Sequence, residues 1–408
     1  MEKVSFPSLN EQMDLIKRGV IEIIPEEELV LKIENSIKSG KPLNIKLGCD
    51  PTRPDLHLGH SVVLRKLAHF QQLGHQAILI IGDFTAMIGD PSGRNSTRPP
   101  LSMEETRING KSYFEQASKI LDPKKTKIVY NSEWLSKMNF EDVIKLASKY
   151  TVARMIERDD FTKRFKNGIP ISLHEFLYPL AQAMDSVAID SDVELGGSDQ
   201  KFNLLVGRDI MREFGKEPQV ILTMPLLVGT DGVEKMSKSY GNYIGLSDEP
   251  KEIYGKTLSI PDNLIYAYFE LATDVSADEL LEIKNFLSYP ENNPRDAKRK
   301  LARKLVEMYY DKEAALKAEE EFDKIFVKKE IPDKIQEFKL SDNIKEIPIV
   351  DLLLKVNLAD SKSDAKRLIQ QGGVSIDGNK ISNVNEIISI TKDFVLKVGK
   401  RKFIKILS

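Results

Sequence analysis

The chain is 408 residues long, 41% hydrophobic and 30% charged, ample for a sizeable core but too long for one compact unit, so two or three domains are expected. Its single cysteine, Cys49, excludes a disulfide framework and a cysteine-rich metal site. Formal net charge is −2, unevenly divided: Asp351 to Ser408 holds 11 Lys or Arg against 6 Asp or Glu, the pattern of an acidic body with an appended polyanion-binding module, or of an ordinary lysine-rich solvated surface.

The amino terminus "MEKVSFPSLNEQMD" has no apolar h-region, and the densest internal apolar run, "AILIIG", is too short to span a bilayer, so a soluble cytoplasmic protein is expected. "PLNIKLG" reads as a buried strand, and a helix from about Gly59 to Leu73 carries Val62, Val63, Leu67 and Phe70 as its apolar stripe. Gly74 closes that helix and "AILIIGD" makes the next strand, giving one right-handed βαβ unit. The polar loop "DFTAMIGDPSGRNSTRPP" follows, where an open α/β sheet places its ligands. A helix over about 103–121 and a strand "TKIVY" come next, and "EFLYPLAQAMDSVAI" reads as a helix. "VELGGSDQKFNLLVGRDIMREFG" supplies a strand end, a glycine turn and a helix, and "PQVILTMPLL" another strand. Residues 247–342 are rich in helix formers. In the tail, "SDAKRLIQQ" is a helix capped by Ser361 with Asp364, and "GGVSIDGNKI" a hairpin turning at Asp377-Gly378. The expected organisation is a Rossmann-like parallel-sheet α/β domain over 1–246, a mostly helical domain over 247–342 and a small α+β domain over 343–408.

Three constellations carry chemistry. In "PDLHLGH", His57 and His60 lie three apart at the start of a helix, where unpaired backbone N–H groups favour an anion and Gly59 lets a flat group approach. Zinc is the other reading of paired histidines, and no further His or Cys cluster completes its ligands. In "EKMSKS", Lys235 and Lys238 sit among small residues, the composition of a mobile loop that wraps a polyphosphate or of an unremarkable surface loop. Tyr178, Gln182 and Asp185 step i, i+4, i+7, so one helical face presents a ring, an amide and a carboxylate.

His-x-Gly-His followed by Lys-Met-Ser-Lys-Ser resembles the class I aminoacyl-tRNA synthetases, and "GCDPT", "IGDPSGR" and "LGGSDQKFN" narrow this to the bacterial-type tyrosyl-tRNA synthetases. The tail "DLLLKVNLADSKSDAKRLIQQGGVSIDGNKI" resembles the RNA-binding domain first seen in a small-subunit ribosomal protein. The resemblance covers nearly the whole chain. It implies that His57, His60 and Thr52 contact ATP and its phosphates, with Gly59, Gly197, Asp199, Met236 and Ser237 around the nucleotide and Lys235 and Lys238 on the leaving pyrophosphate. It places Asp90 and Gln200 at the ammonium and carboxylate of tyrosine, with Tyr178, Gln182 and Asp185 lining the pocket. Arg94, Arg98, Lys362, Lys366 and Arg367 are implied phosphate or tRNA contacts. Many members carry a tyrosine against the substrate hydroxyl where this chain has Lys46, a departure shared by a second bacterial branch; the lysine either donates to the phenolic oxygen or pairs elsewhere.

The implied reaction is attack of the tyrosine carboxylate on the α-phosphorus of ATP, then transfer to the terminal adenosine of tRNA(Tyr). Mg²⁺ accompanies ATP without a dedicated protein cage, and a homodimer is implied. A buried acid that needs a hydroxyl donor rejects phenylalanine, so no editing domain is required. Two alternatives stand: a tryptophanyl-tRNA synthetase-like ligase, and a non-catalytic RNA-binding protein on a synthetase scaffold.

Overall fold

The structure, a computed structural model, describes residues 6–51, 55–90, 102–327, 336–340, 345–399 and 402–407. These fall into two compact units, Met1–Asp311 and Lys312–Ser408.

The first unit is built on a six-stranded sheet: β1 (Glu22–Ile24), β2 (Asn44–Cys49), β3 (Gln76–Ile81), β4 (Thr126–Tyr130), β5 (Val193–Gly197) and β6 (Val220–Met224). Its order is β1-β6-β5-β2-β3-β4, with β6 to β4 parallel and β1 an antiparallel edge. Every residue of β6, and all of β3 after Gln76, is buried. Burial of successive residues means both sheet faces are covered, which is why these strands read as unbroken apolar runs.

Helix α1 (Leu58–Gln72) joins β2 to β3 and packs on β2, β3 and β5. Helices α2 (Leu173–Ile189) and α3 (Lys201–Glu213) flank β5 in sequence and pack together through Leu180, Ala183, Val187, Val206 and Ile210. From β2 the chain runs to β3 and β4 on one side, then returns to β5 on the other. The order therefore reverses between β2 and β5, where such sheets open a crevice at their carboxyl ends.

The helical stretch contains α4 (Pro250–Leu258), α5 (Ile265–Ala272), α6 (Ala277–Ser288) and α7 (Pro294–Tyr309). Proline opens α4 and α7 at a position whose N–H would have no helical partner. Since α5 packs on α1 and α7 on α4, these helices belong to the first unit.

The second unit has α8 (Lys312–Phe322), β7 (Gln336–Lys339), β8 (Glu346–Pro348), α9 (Ile349–Lys355), α10 (Lys362–Gln370), β9 (Val374–Ile376), β10 (Asn379–Lys380), β11 (Ile387–Ser389), β12 (Phe394–Val398) and β13 (Lys402–Leu407). Ser361 caps α10 by accepting from the Asp364 N–H, and the β9–β10 turn holds Asp377 and Gly378 at φ of 48° and 84°. Two positive φ values suit an Asp-Gly hairpin turn. The expected division at 342/343 falls inside this unit: β7 pairs in parallel with β13, and Leu340 is buried with Leu352, Ile369 and Leu396. No helix among the described residues is long and apolar enough to cross a membrane.

Candidate active site

β2 runs out into Gly48-Cys49-Asp50 and β5 into Gly196-Gly197, so the crevice between them is floored by backbone and small side chains. A cavity of about 920 Å³ opens there, walled by the start of α1, the inner face of α2 and residues 235–240. His57, His60, Gly59, Lys235, Lys238, Met236, Ser237, Asp199, Gly197, Asp90, Tyr178, Gln182, Asp185 and Gln200 all line it. The structure thus gathers in one place side chains drawn from a span of more than 180 residues.

At one end, Asp185 is almost wholly buried. It accepts from the Trp134 indole N–H at 2.9 Å and from the Asn131 amide at 3.4 Å. Burial dominates and raises its pKa to about 7, against the opposing pull of the Lys46 charge and these two donors. Tyr178, two turns away, donates its hydroxyl to Asp50 at 2.8 Å, and Asp50 also accepts from Thr85 at 2.7 Å. Burial, with Asp50 beside it, holds the Tyr178 proton in place. Gln200 donates to Asp90 at 3.0 Å.

Lys46 does not line the cavity. It is fully buried, and its three ammonium hydrogens go to Glu194 at 2.7 Å, the Ser186 hydroxyl at 2.8 Å and the Gln182 carbonyl at 3.0 Å. Of the two readings of Lys46, pairing elsewhere is the one this geometry shows: side chains alternate along a strand, and Lys46 takes the face against α2. Ser186 and Gln219 saturate the other oxygen of Glu194. Glu194 itself reaches the cavity wall.

At the other end, His57 is the N-cap of α1. Its Nδ1 accepts from the Gly59 N–H at 3.1 Å, and the Nδ1 of His60 accepts from the His57 N–H at 3.2 Å. This reciprocal cap brings the two rings into tilted contact, centroids 3.9 Å apart and planes at 37°. With its Nδ1 spent as acceptor, the neutral His57 ring carries its hydrogen on Nε2. Burial, then the His60 and Lys238 charges, pushes the His57 pKa down to about 2, so it stays neutral. A Cβ on Gly59 would lie 2.9 Å from His57 Cε1, so glycine is needed here to let the capping ring fold back, as well as for any ligand.

The lysine loop is braced by Asn242, whose amide bonds Asp231 at 2.8 Å and accepts from the Ser237 N–H at 2.8 Å. The Cβ of Met236 would be 3.5 Å from one placed on Gly59, and Leu58 donates to the Ile244 carbonyl at 2.9 Å, joining loop and helix start directly. Lys238 pairs with Asp55 at 2.6 Å and Lys235 with Asp199 at 2.9 Å. Both lysines thus rest on carboxylates at the cavity rim. Thr52, Arg94 and Arg98 lie outside the described residues. Lys362, Lys366 and Arg367 are exposed on α10, Lys362 pairing with Asp351 and Arg367 with Asp364.

Comparison with known proteins decides the family. Residues 38–327 match the family described as tRNA synthetases class I (W and Y), and 327–406 match the tyrosine–tRNA ligase SYY-like C-terminal domain. The tyrosine–tRNA ligase of Chlorobaculum tepidum is 57% identical over 98% of both chains, and that of Thermotoga maritima 58% identical over 97% of both. The chain belongs to the class I tyrosyl-tRNA synthetases. Among solved structures, the tyrosyl-tRNA synthetase of Archaeoglobus fulgidus, complexed with L-tyrosine, is 26% identical with a TM-score of 0.63, covering 76% of this chain and 99% of that one.

For a synthetase of this family, sequence reading passed over Asp50, Asp55, Asn131 and Trp134. One signal for the last pair was present: Trp134 is the only tryptophan and closely follows a strand's carboxyl end. Nothing in the sequence connects it to Asp185, 51 residues away.

Proposed function

We propose that the chain activates L-tyrosine with MgATP, forming tyrosyl-adenylate and pyrophosphate, and passes tyrosine to the 3′-terminal adenosine of tRNA(Tyr). The observation that carries this is one cavity with a buried, donor-held carboxyl at one end and imidazole and ammonium donors at the other. The phenol of tyrosine donates to Asp185. Its ammonium faces Asp90, Gln182 and the Tyr178 oxygen, whose own hydrogen is committed to Asp50; Gln200 attends its carboxylate side. Lys46 acts from behind, holding α2 through Gln182 and Ser186.

The nucleotide lies over Gly59 and Gly197, with its ribose at Asp199 and its phosphates toward His57, His60 and Thr52. The tyrosine carboxylate is already ionised and attacks the α-phosphorus without a general base. The rate comes from alignment and from donors placed where negative charge builds as pyrophosphate departs. Lys235 and Lys238 exchange their resting carboxylates for the β- and γ-phosphates as that charge develops, and Met236 and Ser237 travel with them. Mg²⁺ enters as part of the ATP substrate.

Residues 1–246 serve as the ATP and tyrosine domain, 247–342 as an anticodon-side domain and 343–408 as an RNA-binding domain, with the second unit's sheet extending upstream to β7. Lys362, Lys366 and Arg367, with Arg94 and Arg98, supply phosphate contacts that position the tRNA without reading bases. The protein works in the cytoplasm, where tRNA and ATP are, as a homodimer. The dimer is supported by Phe140, Val152, Phe165 and Leu173, apolar side chains 61–82% exposed on four successive helices of the first unit. The test is ATP–pyrophosphate exchange with tyrosine, tryptophan and phenylalanine in turn. Exchange with tyrosine alone is expected; exchange only with tryptophan overturns the substrate, and none with any amino acid favours an RNA-binding protein.

A further inference from the structure

Behind the amino-acid end of the cavity runs a chain of side-chain hydrogen bonds with a fixed direction. The Arg158 guanidinium is buried, lies 4.4 Å over the Phe161 ring, and is gripped by Asp160 through Nε at 2.6 Å and Nη2 at 2.8 Å. Its Nη1 donates to Asn203 Oδ1 at 3.2 Å. Asn203, also buried, donates from Nδ2 to Gln200 Oε1 at 3.0 Å, and Gln200 donates from Nε2 to Asp90 Oδ2 at 3.0 Å. Gln200 and Asp90 line the cavity; Arg158 and Asn203 do not.

A guanidinium only donates and a carboxylate only accepts, while an amide has one end of each kind. With Arg158 at the head, Asn203 must turn its oxygen toward it and its NH₂ toward Gln200. Gln200 must then present its oxygen to Asn203 and its NH₂ to Asp90. Were either amide reversed, two oxygens or two NH₂ groups would meet, at about 1–3 kcal/mol for each group left unpaired at the buried Arg158–Asn203 contact and less toward the half-buried Gln200 and Asp90.

We propose that Arg158 and Asn203 are positioning residues for the charged end of the amino-acid substrate: the donor-only guanidinium sets the polarity of the Asn203–Gln200 relay, and the relay fixes which face Gln200 and Asp90 show the substrate. This rests on the reading that Gln200 and Asp90 meet the tyrosine ammonium and carboxylate. Neither positioning residue touches substrate.

The test compares steady-state exchange kinetics of the full-length protein and four variants, with melting curves to establish folding. Asn203→Asp keeps the shape but removes the donor facing Gln200. It is expected to raise KM for tyrosine about tenfold or more, the loss of one buried hydrogen bond, with KM for ATP and kcat changed less than about twofold. Asn203→Ala deletes both ends, letting Gln200 recruit water, and is expected to cost less, about threefold in KM. Arg158→Lys still only donates and is expected to stay within about threefold of the parent; it carries the test should Asn203→Asp fail to fold. Asp90→Asn tests the underlying reading. If Asp90→Asn leaves the tyrosine KM unchanged, that reading falls and the proposal with it. If Asp90→Asn raises it while Asn203→Asp does not, or Asn203→Ala is as harmful as Asn203→Asp, the relay alone is overturned, as it is if Arg158→Lys raises KM tenfold.

Discussion

Asp185 shows how a single carboxyl acquires its properties from its surroundings. Its folded-state pKa of about 7 lies above the 3.8 usual for an aspartate, because burial disfavours the charge more than Lys46, Trp134 and Asn131 favour it. The folded state therefore binds this proton more tightly than the unfolded chain does. The group's stabilising contribution is present below the unfolded pKa and lost as pH rises toward 7. Substrate acts in the opposite sense, since a phenol hydroxyl donates best to the ionised form. KM for tyrosine is expected to fall as pH rises from 6 to 8, and Asp185→Asn to remove that dependence while weakening selection against phenylalanine; initial-rate profiles with both amino acids check this. Lys46 invites a different measurement. Replacing it by Met leaves Glu194 charged and buried without its cation, expected to cost about 3–5 kcal/mol of stability in denaturant unfolding. A loss below about 1 kcal/mol would mean Glu194 takes up a proton at little cost, and the pair does not hold α2.

At the scale of elements, α1 is the piece whose sequence and role coincide most closely. Its apolar stripe and histidine start were readable from spacing, and the observed helix begins one residue before the expected one. Spacing did not disclose that the two histidines cap the helix for each other, nor that Gly59 is needed for that cap. Gly59→Ala pushes a methyl into the His57 ring, which cannot yield without giving up its bond to the residue-59 N–H. Pyrophosphate exchange is expected to drop about tenfold or more, chiefly on the ATP side, with at most about 2 kcal/mol lost from the cap; ATP titration and melting curves separate the two effects. The lysine loop was legible as a motif of small residues and cations. Its resting contacts with Asp55 and Asp199 were not, since each joins residues from different turns of the fold.

Over the whole molecule, the division falls at Asp311/Lys312, with the helices of 250–309 packed into the sheet-bearing unit. A chain ending at Asp311 retains every cavity residue named above. It is expected to keep tyrosine-dependent exchange near the parental rate and to charge tRNA at least tenfold more slowly, corresponding to about 1.4 kcal/mol or more of lost tRNA interaction. Loss of exchange from a truncated but folded chain would place part of the activation machinery in residues 312–408.

The amino-acid order by itself determined what neighbours a few residues apart can encode. The apolar runs of β2, β3 and β6, the start of α1, the capped start of α10, the Asp377-Gly378 turn and the spacing of the histidine and lysine motifs all follow from local backbone preference and from the two periodicities of strand and helix. The tertiary structure alone decided what depends on distant partners and on exclusion of water. Lys46 and Glu194 are 148 positions apart, yet their pairing commits the Lys46 ammonium to Glu194 and to α2. Asp90 and Gln200 are 110 apart, and the direction of their bond is set by an arginine further back still. Burial and pairing of this kind belong to the packed arrangement of several elements, so no stretch of sequence carries them.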